Sequence, residues 1–174
     1  MIPRVLAAAF FLVLTACQNM PPPFAPPEQR PPMAGFRDYR VQHVSNFSEG
    51  DMSRVVADIL NPAGGWSWTG KRPTIKVPLQ GRKQVHYVID FTVADATFKT
   101  TGPVTVTFLV NDHALESVLY SKPGAQHYER AVPLEWVKAD ADNLVGAEVD
   151  KLWTSPSDGA KLGLILNRMG LTEQ

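Results

Sequence analysis

From Phe36 onward, apolar and polar residues alternate along most of the chain. Ile75, Val77 and Leu79 alternate with Thr74, Lys76 and Pro78, and Val85, Tyr87, Ile89, Phe91 and Val93 alternate with His86, Val88, Asp90, Thr92 and Ala94. Successive strand side chains point to opposite faces, so each run predicts a strand with one dry face. The pattern recurs in Val104, Val106, Phe108 and Val110, in Tyr128, Arg130, Val132 and Leu134, and in Leu162, Leu164 and Leu166. Turn signals separate the runs: Gly81, Thr101-Gly102-Pro103, Asn111-Asp112, Lys122-Pro123-Gly124 and Ser155-Pro156-Ser157-Asp158-Gly159. Many short strands without βαβ alternation predict a mainly β fold, an antiparallel sandwich.

One segment has a different period. In SEGDMSRVVADILNP, Met52, Val55, Val56, Ile59 and Leu60 recur at helical spacing, Ser48 and Asp51 stand where a capping pair would, and Asn61-Pro62 ends the run. The spacing predicts one short amphipathic helix covering an end or edge of the sandwich. So short a helix depends on tertiary packing, so its stripe is assigned to the core.

The N-terminal part is not foldable in the same sense. Met1 to Arg4 is a short basic start, and Val5 to Leu14 is an apolar run too short for a permanent bilayer span. Leu14-Thr15-Ala16-Cys17 resembles the lipobox of bacterial lipoproteins, and Cys17 is the sole cysteine. The resemblance implies a signal peptide over residues 1–16 and a lipidated Cys17 as the mature N-terminus. It also implies anchoring in the membrane by several acyl chains, which exceeds what stable attachment requires. Gln18 in place of an aspartate implies, by the family's sorting rule, the outer membrane, facing the periplasm. Pro21 to Pro32, PPPFAPPEQRPP, favours extended polyproline II. At roughly 3.1 Å per residue, the linker could hold a domain up to about 50 Å from the lipid. The expected organisation is signal peptide 1–16, lipidated cysteine and Pro-rich linker 17–34, and a β-sandwich domain over 35–174.

With 17 Lys+Arg against 17 Asp+Glu, no charge excess exists to hold nucleic acid. Catalytic patterns are equally sparse. Gly65-Trp66-Ser67-Trp68-Thr69 has Thr where a nucleophile elbow needs its second Gly, and Pro73 with a strand follows instead of a helix. His43, His86, His113 and His127 are scattered without metal-ligand spacing, and no Gly-rich phosphate loop opens a helix. His86 and Asp90 share a strand face but stand about 13 Å apart, too far for a dyad. Asp140-Ala141-Asp142-Asn143 is similar to the start of a calcium loop, yet Leu144 and Lys151 occupy ligand positions, which favours a polar turn. The expectation is a protein that is not an enzyme and carries no metal or cofactor.

The remaining signal is aromatic. Strand geometry places Trp66 and Trp68 on one face and Ser67 and Thr69 on the other. Facing inward, the indoles fill the core, where Trp is commonly found; facing outward, they form a flat strip on which a sugar ring can stack. Gly64 and Gly65 and the basic pair Lys71-Arg72 permit an open approach. Trp136 and Trp153 invite the same two readings; Trp153, beside a Pro/Gly loop, is the better candidate for exposure, and Trp136 is assigned to the core. The candidate ligand-binding set is Trp66, Trp68, Lys71, Arg72, Trp153 and Asp158.

The strand pattern, the tryptophans near loops and the final Leu-Gly-rich strand, spanning Trp66 to Leu171, resemble the jelly-roll sandwiches of the galactose-binding-like superfamily, which includes many carbohydrate-binding modules. The resemblance implies a domain whose loops at one end commonly bind sugars, and together with the lipobox the expectation is a membrane-anchored, noncatalytic domain for cell-envelope or surface glycans. The alternative is an envelope scaffold or assembly partner that binds another protein, with buried tryptophans and no glycan.

Overall fold

A computed structural model describes residues 42–60, 66–81 and 83–173, all inside one unit spanning Asp38–Gln174. The alternating runs become strands: β1 (Gln42–Asn46), β2 (Val55–Ile59), β3 (Ser67–Leu79), β4 (Val85–Val93), β5 (Val104–Val110), β6 (His113–Tyr120), β7 (Gly124–Ala131), β8 (Ala141–Val149), β9 (Trp153–Thr154), β10 (Lys161–Leu162) and β11 (Ile165–Glu173). Every described pairing is antiparallel.

Nine strands form one curled sheet in the order β6-β5-β8-β3-β11-β4-β7, with β1 beside β11 and β2 beside β3. The sheet turns over where β3 meets β11, at Trp68 opposite Ile165 and Ser67 opposite Leu166. One half is β6-β5-β8-β3-β2 and the other β1-β11-β4-β7, a jelly-roll-like sandwich. The inner faces are held together by rings: Phe108 of β5 stacks on Tyr128 of β7 with centroids 3.7 Å apart, and lies 5.6 Å from Tyr87 of β4. Phe91 of β4 meets Tyr120 of β6 edge-on at 5.2 Å. Tyr87 is fully buried, and its hydroxyl donates to the Gly146 carbonyl at 3.0 Å, so the polar tip is satisfied inside the core.

The chain has one short α-helix among its described residues, but not where helical spacing places it. It is α1, Asp95–Thr101, after β4. The Ser48–Leu60 segment is instead a 3₁₀ turn, Phe47–Glu49, followed by β2. Two local effects override the apolar spacing. The cap is Asn46, whose side chain accepts from the Ser48 N–H at 3.2 Å, and Asp51 folds onto the Ser53 N–H at 3.1 Å and hydroxyl at 2.6 Å. Such side-chain bonds compete with a helix, and the β-branched Val55, Val56 and Ile59 favour extended backbone. The run toward Leu134 also stops early: Pro133 precedes a 3₁₀ turn over Leu134–Trp136.

Candidate functional site

Burial along β3 alternates as a half-covered strand requires, except at Lys71, which is exposed where the alternation would place it inward. Ser67, Thr69, Pro73 and Ile75 are buried; Trp68, Gly70, Arg72 and Thr74 line the outer face. Trp66 is 45% exposed, and Trp68 is half-buried. The inward-facing reading of this pair is therefore corrected: small hydroxyl residues, not indoles, take the inner positions. The reason is close backbone approach. The Thr69 N–H donates to the Leu164 carbonyl, the Gly163 N–H donates to the Thr69 carbonyl, and Thr69 Oγ1 accepts the Leu164 N–H at 2.9 Å. A Cβ at Gly163 would stand 2.6 Å from the Gly70 carbonyl oxygen, so no indole fits between these segments.

On the outer side, Trp68 meets Trp153 of β9 at 6.1 Å, with the ring planes tilted by 32°. Trp153 is also half-buried. It is presented by the β9–β10 hairpin, in which Trp153 pairs with Leu162 and Thr154 with Lys161. The hairpin loop is tied by Ser155 N–H to the Ala160 carbonyl at 2.8 Å and Gly159 N–H to the Ser155 carbonyl at 2.9 Å. Asp158 serves the same loop, accepting from the Ala160 N–H at 3.1 Å. A hydrogen bond from Ser155, then that backbone bond, holds its carboxyl below the usual carboxylate range.

Further along β3 the register breaks. Ala57 of β2 faces Thr74 and Ile59 faces Thr69, so Asp58 alone spans the bulge Gly70-Lys71-Arg72-Pro73. Asp58 has φ +55°, and its carboxylate accepts the Arg72 N–H at 2.7 Å. The carboxylate lies against the bare face of Gly70, where a Cβ would stand 2.8 Å from Asp58 Cγ. Arg72 then reaches Asp112 Oδ1 through Nη2 at 2.7 Å. Asp112 stands in the β5–β6 turn beside Asn111, both with positive φ, the backbone that tight hairpins take from Asn and Asp. The turn is pinned by Asn111, which donates to the Trp136 carbonyl at 2.7 Å and to Asn143 at 2.8 Å. Asn143, fully buried, is itself bonded to Lys138 and Ala141, so the polar run Asp140–Asn143 opens β8 after a turn. The Asp58–Arg72–Asp112 group borders a cleft of about 250 Å³, with Val56, Ala57, Leu109 and Leu144 on its apolar sides.

Of the candidate residues, the structure thus joins Trp68 to Trp153 and leaves Trp66 exposed, and puts Arg72 in the cleft. Lys71 is drawn to Glu148 at 3.6 Å, with both side chains largely in solvent, and Asp158 clasps its own loop. Cys17, the linker, Gly64 and Gly65 lie outside the described residues. Asp58 and Asp112 were not singled out by the sequence: Asp58 is hidden in the segment with helical spacing, while the Asn111-Asp112 turn signal marks where Asp112 stands. Trp136 is packed against the core as assigned; it is half-buried and its ring stacks on His113 at 4.9 Å.

The outer faces of β4, β7 and β11 carry a second polar cluster. His127 bonds Asp90 and lies 3.7 Å from Glu129; His86 meets Glu129 at 3.2 Å; Arg168 Nε lies 2.7 Å from Asp90. His86 and Asp90 are therefore connected across β7 and not along β4. Among the described residues, no group of three or more His, Cys, Asp or Glu is arranged to hold a metal ion, and no helix is long and apolar enough to cross a membrane.

No protein-family model and no curated protein sequence matches the chain. Among solved structures, it is similar to a family GH115 4-O-methyl-α-glucuronidase with specificity for decorated arabinogalactans (TM-score 0.49, 14% identity, 84% of this chain and 19% of that one). It is also similar to a family 35 carbohydrate-binding module from an environmental isolate (TM-score 0.43, 13% identity, 75% and 93%), and to dimeric latent PorU from Porphyromonas gingivalis (TM-score 0.42, 14% identity, 60% and 10%). The chain thus corresponds to a small part of the glucuronidase and of PorU, and to nearly the full length of the binding module.

Proposed function

We propose that this chain is a membrane-anchored lipoprotein, attached through Cys17 to the outer membrane on its periplasmic side, whose β-sandwich is a noncatalytic module for cell-envelope or surface glycans. The observation that carries the glycan reading is the outward Trp68–Trp153 pair with Trp66 exposed beside it. Indoles that face solvent offer the C–H faces of a pyranose an apolar platform while polar neighbours take its hydroxyls.

Acrylamide quenching of tryptophan fluorescence, with and without a panel of envelope polysaccharides, tests it. One glycan should protect several indoles, and Trp68→Ala should weaken that glycan by up to about tenfold, the scale of one lost stacking contact, with folding unchanged. Equal quenching with every polysaccharide would remove the glycan reading. For the anchor, Cys17→Ser should move the protein from the membrane fraction to the soluble one; full retention would count against lipidation.

A second reading, an envelope scaffold that binds another protein, has one observation in its favour. Among the described residues β2 pairs with β3 alone, and it and the residue after it expose Val56 at 52% and Leu60 at 45%, an open edge suited to strand addition. Copurification of a partner that Val56→Lys abolishes, with no glycan protection, would decide for it.

A further inference from the structure

The outer row of β3 runs beyond the tryptophans. Trp68, Gly70, Arg72 and Thr74 follow one another at a spacing of two, with Trp66 ahead of them. The bulge shortens the row: Thr69 and Thr74 face Ile59 and Ala57, only two residues apart on β2, so at about 3.3 Å per residue Trp68 to Thr74 covers roughly 10 Å along the sheet, still more than a single pyranose occupies. In the middle of the row the Asp58 carboxylate occupies the space over Gly70, so a ligand following the row meets a polar acceptor there. The row leads into the cleft bordered by Arg72, Asp112, Ala57 and Leu144.

We propose that the glycan site continues from the Trp68–Trp153 platform along β3 into this cleft, so that its ligand is an internal stretch of an extended, neutral glycan chain and not a terminal sugar. The inference rests on the glycan reading above. Three features carry it. The two ends differ as a track requires: rings that stack on pyranose faces at one, carboxylate acceptors and guanidinium donors for hydroxyls at the other. The polar end is built, since Asp58 holds the Arg72 backbone and Asp112 holds its guanidinium, which fixes the donors without a bound ligand. Its charge also selects: two carboxylates face one arginine, and the neighbouring Lys71 is drawn to Glu148, so an acidic sugar meets net repulsion and a neutral one does not.

The experiment is a length series. Whichever panel polysaccharide protects the tryptophans is cut into a size-fractionated ladder from monosaccharide to hexasaccharide, and each member is titrated by calorimetry against the wild-type domain. Affinity should climb with length beyond the disaccharide. Ala57→Trp, which fills the cleft from an exposed position, and Arg72→Met should each lower hexasaccharide affinity by about tenfold, the scale of one well-placed polar contact, and leave the disaccharide unchanged. Affinity that is flat with length, or indifferent to both variants while Trp68→Ala abolishes it, overturns the track and leaves the glycan reading standing. Tighter binding of a uronic-acid ladder overturns the selectivity for neutral chains. Protection by no polysaccharide at all takes down the glycan reading and the track together.

Discussion

On the outer face of β4, β7 and β11, charge is laid out as a ladder: Arg168 beside Asp90, Asp90 bonded to His127, His127 near Glu129, and Glu129 bonded to His86. On the outer face of β3, two indoles and a glycine precede a single arginine gripped by two aspartates around a cleft. Both faces sit on strands with the same inward alternation, so the core does not distinguish them. What distinguishes them is what remains available. The ladder's charges answer one another across neighbouring strands, which is how a sheet meets water. The β3 face leaves apolar rings exposed and adds a bulge, which re-aims side chains. A surface with rings, fixed donors and concavity suits a ligand better than one whose charges are spent on one another.

The largest effect on this contrast comes from the core that both faces share. Phe108 is fully buried and stacks on Tyr128, so Phe108→Ala should cost about 3–5 kcal/mol. Urea unfolding followed by tryptophan fluorescence in a Trp136→Phe background reports the β3 face, and the His86 and His127 resonances report the ladder. Both should move together to a lower midpoint. Two separate midpoints would show that the faces are not one cooperative unit.

Next in size is Gly70→Ala. The new Cβ would fall 2.8 Å from Asp58 Cγ, so the carboxylate must swing away and the Arg72 N–H loses its acceptor. Because Asp58 is exposed, water replaces part of what is lost, and the expected cost is about 1 kcal/mol. Long oligosaccharides should lose affinity while short ones on the tryptophans keep theirs. No change in either stability or long-chain affinity would mean that the Asp58 clasp does not organise the cleft.

These two variants also mark what the sequence made legible. Phe108, Tyr87 and Phe91 stand in alternating runs interrupted only by the apolar Val88 and Leu109, and period two puts them inside. The bulge was not legible, because it arises from a register mismatch between β2 and β3, and no local pattern records how many residues a partner strand will set against one. Asp58 was doubly hidden, since Met52, Val55, Val56 and Ile59 fit a helical stripe as well as a half-exposed strand. A short apolar run cannot be assigned by period alone, and the β-branched residues and the Asp51 turn settled it. The tryptophans were found by type, but their direction depended on Gly163 and Leu164 crowding Thr69 from ninety-odd residues away, a long-range contact beyond any sequence window.

The smallest effect separates the faces by pH. Glu173, near the ladder on β11, accepts from Lys83 Nζ at 2.8 Å and lies 3.3 Å from His43 Nε2. The hydrogen bond from Lys83 is the main reason its carboxyl is held below the ordinary value of 4.5, with burial opposing and His43 adding to the effect. A carboxylate whose pKa is lower folded than unfolded favours the folded state at pH above the unfolded value, and that contribution disappears as pH falls through the folded one. Glu173→Gln should therefore be less stable than wild type at neutral pH, with the gap closing below about pH 4.5 as the wild-type carboxyl takes up its proton. Urea midpoints for the two proteins between pH 7 and pH 2 give the comparison directly. Glycan affinity at neutral pH should be identical in both, since Glu173 lies on the half of the sheet away from the Asp58 clasp and its cleft. A stability gap that stays constant down to the lowest pH would show that the Lys83 ion pair is not its source, and a loss of glycan affinity would show that the two faces are not independent.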